Sequence, residues 1–233
     1  MIPLLAPLFR IGSTLKNIDA ALLKIYDLLF RRYGPQSWWP GDSPFEVMVG
    51  AILTQSTAWQ NVEKAIVNLK TAGVMSPASL RQIPTPELAQ LIHPVGYYNA
   101  KALKLQALVR WLSASCGDNM NILFVRETDL LHRQLLAVHG IGPETADSIL
   151  LYAGNKPVFV IDAYTRRIFS RLGLKPEHDT YDDWQIYFSG TLPQNTQLFN
   201  EYHALLVRLG KEACRKKPVC DDCCLRKICK SRL

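Results

Sequence analysis

The chain has 233 residues, of which 48% are hydrophobic and 20% charged, as in an ordinary soluble globular protein. A chain of this length buries either one large core or two small ones. The formal net charge of +7 favours an anionic partner. We expect nucleic acid rather than a membrane, because no membrane feature competes for the charge.

The N-terminal residues 1–15 are apolar, but they lack a basic export signal and Arg10 interrupts them. They are too short to span a bilayer, so we expect a weakly ordered tail or a packed arm. Without an export signal we expect a cytoplasmic, nucleoid-associated protein whose thiols stay reduced. The six cysteines are then expected to be metal ligands or buried thiols before disulfides.

Nearly every apolar run recurs at three to four residues, which predicts an all-α fold. One such stripe covers 18–29, and Gly34-Pro35 ends that helix. Ser43-Pro44-Phe45-Glu46 is a capping box with proline at the first helical position, and predicts a helix through Leu53. Further helices are predicted over 61–72 and 99–115, with two short ones opened by Ser76-Pro77 and Thr85-Pro86.

A glycine-rich turn, His139-Gly140-Ile141-Gly142-Pro143, separates two apolar-periodic segments within residues 135–171. Glycine allows a sharp turn and a close backbone approach, and Pro143 suits the first turn of the next helix. The pattern predicts a helix, a tight hairpin and a second helix whose N-terminal amides point outward. Such amides bind phosphate oxygens without reading base sequence, so Gly140 and Gly142 are candidate DNA-binding residues.

Asp162 follows the apolar run 157–161 and precedes a helix predicted over 163–172. Its simplest role is that of an N-cap, and a catalytic role is compatible with capping. Two more helices are predicted at 181–189 and 197–211.

Four cysteines near the C-terminus form the pattern Cys214-x5-Cys220-x2-Cys223-x5-Cys229, among six lysines and arginines. Four-cysteine sets bind zinc or iron–sulfur clusters, and chemistry alone puts zinc slightly ahead. Cys116 is far away in sequence, and we expect no ligand role for it.

The two central motifs, L-x-x-V-x-G-I-G-x-x-T-A at 135–146 and V-I-D-A-Y-T-R-R at 160–167, resemble the helix-hairpin-helix (HhH-GPD) DNA glycosylases of the endonuclease III superfamily. The resemblance extends from about Trp38 to Cys229. It implies two all-helical lobes with damaged double-stranded DNA bound across the cleft. We also expect a monomer. By motif position, a six-helix lobe with the hairpin covers 42–156. A discontinuous lobe covers 1–41 and 157–233 and ends in a cysteine loop, 213–230.

The same resemblance assigns roles in base excision. A glycosylase must rotate the damaged nucleotide out of the duplex before it can reach the glycosidic bond. Asp162 matches the catalytic aspartate, which stabilises the positive charge that develops on the sugar. Gln55 or Ser56 matches the wedge that fills the vacated space, and both registers remain open. Arg166 is expected to contact phosphate, with an ordinary surface arginine as the alternative.

Glu144 departs from the pattern of the bifunctional members, which carry a lysine at this position. That lysine forms a Schiff base and nicks the strand, which a glutamate cannot do. The expected enzyme is therefore a monofunctional glycosylase, a hydrolase that leaves an abasic site. Glu144 either lines the base pocket or is simply a first-turn acid favoured by the helix dipole.

Trp38-Trp39-Pro40 indicates the substrate class. Aromatic rings stack on a cationic base, and a purine methylated at N3 or N7 is cationic and leaves readily. This run, followed by S-P-F-E and L-T-Q-S-T, most resembles the 3-methyladenine glycosylase branch. Packing of the tryptophans between lobes is the alternative. Glycosylases for another damaged or mispaired base, and a non-catalytic DNA-binding module, remain alternative functions.

Many members of the family end with the pattern C-x6-C-x2-C-x5-C, which binds a [4Fe–4S] cluster. The resemblance therefore implies an iron–sulfur cluster as the first candidate and zinc as the second. The first gap here is one residue shorter. The implied ligands are Cys214, Cys220, Cys223 and Cys229, with Cys224 as the alternative to Cys223. The cluster is expected to hold a basic loop against the DNA backbone.

Overall fold

The computed structural model describes residues 12–231, with side chains from residue 18 onward. This part of the chain contains twelve α-helices and no β-strand, which confirms the predicted all-α class. A tail or arm was expected over residues 1–15; of these, residues 1–11 lie outside the described part and residues 12–15 belong to the first helix. Within the described part, no helix is both long and apolar enough to cross a membrane.

The α-helices follow one another along the chain with short connections. Their bounds are α1 (Gly12–Tyr33), α2 (Pro44–Leu53), α3 (Trp59–Thr71), α4 (Pro77–Gln82), α5 (Thr85–Leu91), α6 (Tyr98–Cys116), α7 (Met120–Phe124), α8 (Thr128–Leu136), α9 (Pro143–Ser148), α10 (Ala163–Leu172), α11 (Tyr181–Ser189) and α12 (Thr196–Glu212). Two 3₁₀ turns, His93–Val95 and Arg226–Ile228, and a π-helical segment, Ile149–Ala153, complete the helical structure of this part.

The chain divides into two compact units, the first formed by Met1–Trp38 with Ile161–Leu233 and the second by Trp39–Val160. The lobe boundaries at 42 and 156 remain a prediction about domain organisation. The second unit holds the eight α-helices α2–α9, where the resemblance implies six. The number is higher because short segments count separately; Pro84, for example, divides α4 from α5.

The second unit is organised around α2. All of its residues after Pro44 are buried, because the sequence PFEVMVGAIL offers almost no polar face. The helix begins as predicted, with the Ser43 hydroxyl accepting a hydrogen bond from Glu46 N. The Glu46 carboxylate in turn accepts Asp42 N at 3.3 Å and pairs with Lys70 at 2.8 Å. These contacts fix where α2 begins.

The hairpin predicted at 139–143 joins α8 to α9. Gly140 has φ +84°, and a Cβ there would lie 2.2 Å from Cγ of Lys104, so this position requires glycine. Gly142 is different, because its φ is −96° and a Cβ there would meet nothing within 4 Å. It is exposed and caps α9. The two glycines of one motif are therefore under different constraints.

The first unit packs α12 against α1 and α10. The buried Tyr202 of α12 donates its hydroxyl to the Leu22 carbonyl of α1 at 2.7 Å. Phe169 of α10 meets Phe188 of α11 edge-on, with ring centroids 4.7 Å apart. Because α10 is held along its length, its N-terminus at Asp162 has a fixed position within this unit.

The geometry of the hairpin predicts that alanine destabilises the protein more at position 140 than at position 142. Gly140→Ala should lower the free energy of unfolding by roughly 1–3 kcal/mol, because it adds both a strained φ and a clash with Lys104. Gly142→Ala should lower it by no more than about 1 kcal/mol, the typical cost of alanine at an N-cap. Urea unfolding of the two variants measures the difference, and equal destabilisation would contradict this account of the hairpin.

Candidate functional site

The turn after α2, residues 54–57, has one exposed and one tethered side chain at the two predicted wedge positions. Ser56 is exposed and has φ +53°, an unusual conformation for a residue with a Cβ. Gln55 is half-buried, and its amide donates to Gly140 O at 3.0 Å and to Thr145 Oγ1 at 2.9 Å. Gln55 therefore ties this turn to the hairpin, and Ser56 is the residue displayed to solvent.

A second turn of the same unit, residues 93–97, displays an aromatic ring that sequence reasoning missed. Tyr97 is 80% exposed with φ +47° and immediately precedes α6. Thr57 of the first turn donates its hydroxyl to Val95 O at 2.6 Å, so the two turns are adjacent. The available signal was the turn His93-Pro94-Val95-Gly96, followed by two tyrosines at the start of a predicted helix.

Trp39 is packed within the second unit. Its ring lies against Gly50, where a Cβ would come within 2.9 Å, and meets Trp59 edge-on at 5.2 Å. A small cavity of about 80 Å³ opens beside these rings and is lined by Trp39, Pro40, Glu46, Gly50, Trp59, Glu63 and Ile66. The structure thus gives Trp39 a packing role and also places it in a cavity wall. Trp38 belongs to the other unit and is half-buried.

Glu144 occupies the first turn of α9, is exposed, and is not among the lining residues of that cavity. Its position next to the N-terminus of a helix favours a negative charge. No lysine stands at this point of the hairpin motif.

Asp162 caps α10 in the first unit. It is only 8% exposed, and its Oδ1 accepts the backbone N–H of Thr165 at 2.7 Å. Its Oδ2 lies 3.6 Å from Nε2 of His203, a residue of α12. Burial alone raises the pKa of this carboxyl, but the contacts with His203 and Thr165 outweigh burial and lower it below the usual value. Asp162 is therefore a buried carboxylate that stays ionised at neutral pH.

The contact with His203 is a feature that the local sequence did not reveal. In its helix His203 fits an ordinary packed residue, and only the packing of α12 on α10 brings it to the carboxylate. Arg166, predicted to contact DNA, is directed to the loop before α11. Its guanidinium donates to Asp179 O at 3.1 Å and lies over the ring of Tyr181.

The predicted cysteine ligands are near one another but do not form a closed site. Among the side chains of residues 18–231, no group of three or more His, Cys, Asp or Glu is arranged to hold a metal ion as it stands. Two of the thiols are engaged by Arg171, which donates to Cys214 Sγ at 3.2 Å and accepts from Cys229 Sγ at 3.6 Å through its carbonyl.

The electrostatics of the cysteines nevertheless separate Cys223 from Cys224. Burial raises the pKa of Cys223, and Cys214, Cys220 and Cys229 raise it further, so Cys223 faces the other three thiols. Burial and Cys223 raise the pKa of Cys224 to about 11, while Arg32 of α1 acts in the opposite direction. Burial raises the pKa of Tyr33 in α1 to about 12, and Cys224 raises it more than Cys223 does, so Cys224 is the nearer of the two to α1.

Residues 49–194 match the family of HhH-GPD superfamily base excision DNA repair proteins. Over 218 residues the chain is 42% identical to MJ1434 of Methanocaldococcus jannaschii, provisionally named a DNA repair glycosylase; the match covers 93% of this chain and 99% of that one. It is 29% identical to endonuclease III of Sulfolobus acidocaldarius, over 80% of this chain and 81% of that one.

Two solved structures resemble the fold. The 3-methyladenine DNA glycosylase of H. pylori, bound to 1,N6-ethenoadenine, superposes with a TM-score of 0.69 at 30% identity, covering 85% of this chain and 97% of that one. An endonuclease III–DNA complex superposes with a TM-score of 0.78 at 20% identity, covering 91% and 95% of the two chains, and supports the fold alone. With the family match and these relatives, the chain belongs to the HhH-GPD superfamily of base excision repair DNA glycosylases.

Proposed function

We propose that this protein is a monofunctional glycosylase that extrudes an alkylated purine such as 3-methyladenine from double-stranded DNA and hydrolyses its N-glycosidic bond with Asp162. The observation that carries the proposal is the buried, ionised carboxylate at the start of α10. A monomer acting on DNA in the cytoplasm, at the nucleoid, is part of the same proposal.

Asp162 suits the chemistry of the glycosidic bond. Cleavage builds positive charge on the deoxyribose, and a carboxylate in a site with little water stabilises that charge strongly. Because Oδ1 is held by Thr165 N, the group is already oriented before substrate binds and does not have to reorganise. His203 faces Oδ2, which helps to keep the carboxyl in its charged form.

The lining of the small cavity beside Trp39, rather than its volume of about 80 Å³, favours a cationic purine as substrate. Two indole rings, Trp39 and Trp59, and two carboxylates, Glu46 and Glu63, lie around it. Aromatic faces and carboxylates both attract a positively charged ring. The similarity to the H. pylori enzyme, named a 3-methyladenine DNA glycosylase, supports the same substrate class. The alternative, another damaged or mispaired base, draws support from the endonuclease III and thymine-DNA glycosylase relatives.

Two groups of the second unit are proposed to hold the duplex. The backbone at Gly140 and Gly142 contacts phosphate, and exposed Gly142 leaves room for a close approach. Ser56 is the better wedge of the two candidates, because Gln55 is already bound to the hairpin. Arg166 stays a proposed phosphate contact, although its guanidinium is partly engaged by Asp179.

A [4Fe–4S] cluster is the proposed cofactor, with zinc as the less favoured occupant. The donor set fits in its chemistry, since Cys223 lies close enough to Cys214, Cys220 and Cys229 for them to raise its pKa, and the basic residues around them balance thiolate charge. Cys214, Cys220, Cys223 and Cys229 would hold the cluster, whose contribution is to order this loop. The loop itself is attached to α10 through Arg167, which donates to Cys214 O at 2.8 Å.

A base-release assay tests the proposed reaction. Duplexes with a single 3-methyladenine, 7-methylguanine, uracil or mismatch should lose the methylated purine fastest. Asp162→Asn should slow release by about 100-fold or more while the variant still binds the lesion, because asparagine can cap α10 but carries no charge. Asp182→Asn, at an exposed position of α11, is the matched control and should behave as the wild type. Undiminished turnover of Asp162→Asn would remove the carboxylate from its role.

Borohydride trapping tests the absence of strand cleavage. Since Glu144 cannot form a Schiff base, the wild type should give no covalent DNA adduct with sodium borohydride, and strands should break only after alkali treatment. A trapped adduct, or cleavage without alkali, would show that another amine acts as nucleophile and that the enzyme is bifunctional.

Paired cysteine variants test the cofactor and its ligands. Purified wild-type protein should be brown with broad visible absorption, and Cys223→Ser should lose this colour. Cys224→Ser should retain it, because Cys214, Cys220 and Cys229 raise the pKa of Cys223 but have no such effect on Cys224. Colourless protein with one zinc per chain would exclude the cluster, and loss of colour in Cys224→Ser alone would exchange the two ligands.

A further inference from the structure

A lysine is buried under the two turns that display Ser56 and Tyr97. Lys101 of α6 is only 2% exposed. Its ammonium donates to Leu53 O at 2.9 Å, Val95 O at 3.0 Å and Thr57 Oγ1 at 2.5 Å. All three N–H groups are thus used, and each acceptor is a neutral oxygen.

Burial of this ammonium is costly for stability. A charged amine that leaves water without a carboxylate partner is compensated only by its hydrogen bonds, and an apolar side chain of similar length would fill the space more cheaply. Lys101 is therefore unlike the other side chains among the largest fully buried ones of the second unit, Phe159, Met48 and Ile52, which are apolar. Unlike an apolar side chain, the lysine connects its three acceptor oxygens to one another through hydrogen bonds.

The acceptors of Lys101 belong to two different turns. Leu53 immediately precedes the wedge turn, residues 54–57, and Thr57 is the last residue of that turn. Val95 lies in the Tyr97 turn, residues 93–97. Thr57 also donates to Val95 O, so one hydroxyl and one ammonium join both turns. Each turn holds a left-handed residue, Ser56 or Tyr97, which persists only where surrounding contacts impose it.

Lys104, one helical turn further along α6, supports the wedge turn from another side. Its ammonium donates to Gln55 Oε1 at 2.6 Å, while the Gln55 amide donates to the hairpin. Helix α6 therefore fixes the wedge turn through two lysines, one buried and one nearer the surface.

We propose that Lys101 is a positioning residue that holds the wedge turn and the Tyr97 turn as one rigid edge, which enters the duplex when the damaged nucleotide is rotated out. The inference rests on the proposed glycosylase function. A loop that pushes into a base stack must resist displacement, and a flexible loop would have to be ordered during binding. With Lys101 in place that ordering is complete beforehand.

The hydrogen-bond count makes this role dependent on pH. Burial and the nearby charge of Lys104 lower the pKa of Lys101 to about 8. Lys104 is the charged group that faces it, and the groups from the wedge turn and the Tyr97 turn are carbonyls and a hydroxyl. Below this pKa the ammonium serves three acceptors. Above this pKa the neutral amine has only two N–H groups for the same three acceptors. The edge formed by the two turns should therefore become less rigid as the pH rises.

Lys101→Met tests the proposal, with Lys64→Met at an exposed position of α3 as the control. Single-turnover base release is measured on a methylated duplex and on the same lesion in a single strand, where no stack must be entered. The variant should be slower on the duplex by about tenfold or more and nearly unchanged on the single strand. An equal loss on both substrates, or no loss on the duplex, would overturn the proposal.

Base extrusion is measured separately from hydrolysis by the fluorescence of 2-aminopurine beside the lesion. The wild type should raise this fluorescence, and the rise should fall around pH 8 to 9; Lys101→Met should give a small rise without that pH dependence. A wild type that extrudes the base but releases none would contradict the glycosylase proposal and leave the role of Lys101 measurable. Identical pH profiles for wild type and variant would contradict the role of Lys101.

Thr57→Val provides a second variant in case Lys101→Met folds poorly by circular dichroism. It removes the hydroxyl that joins the two turns but leaves the buried amine in place. It should show the same preferential loss on the duplex, to a smaller extent. A Thr57→Val variant with full duplex activity would contradict the connection between the turns.

Discussion

One buried carboxylate carries the chemistry proposed for this protein. Asp162 both starts α10, through its bond to Thr165 N, and remains ionised despite being almost completely buried. Desolvation on its own would neutralise such a group. The contact with His203 on α12 and the backbone amide reverse this, so the fold of the first unit sets the charge of the group. The same contacts that hold α10 in position thus prepare the group that would meet a cationic sugar.

In the second unit, a small number of polar contacts hold the candidate DNA-contacting turns. Lys101, Lys104 and Gln55 connect the wedge turn to α6 and to the hairpin, and the aliphatic part of Lys104 lies where a side chain at Gly140 would be. The candidate DNA-contacting turns are therefore supported by one helix. Because apolar packing around α2 holds that helix in turn, the turns rest on a rigid scaffold rather than on mobile loops.

Local sequence was sufficient for features that local chemistry determines. Helical periodicity, the Ser43 cap, the glycine hairpin and the Asp162 cap could all be predicted, because their partners lie within a few residues. The inward direction of Gln55, the burial of Lys101, the exposure of Tyr97 and the contact of Asp162 with His203 could not. Each of these depends on side chains that are distant in sequence and meet only when helices pack. Trp39 shows both situations. Its sequence motif suggested a base pocket, whereas its packing on Gly50 could not be predicted from the sequence.

The most direct test of the central claim is a crystal structure of Asp162→Asn bound to a duplex that carries 3-methyladenine or a stable analogue. The account predicts an extruded nucleotide whose C1′ lies beside residue 162, on the side opposite the departing base, with Ser56 in the vacated space. A nucleotide that remains stacked, or one extruded to a place where residue 162 is out of contact with the sugar, would contradict it.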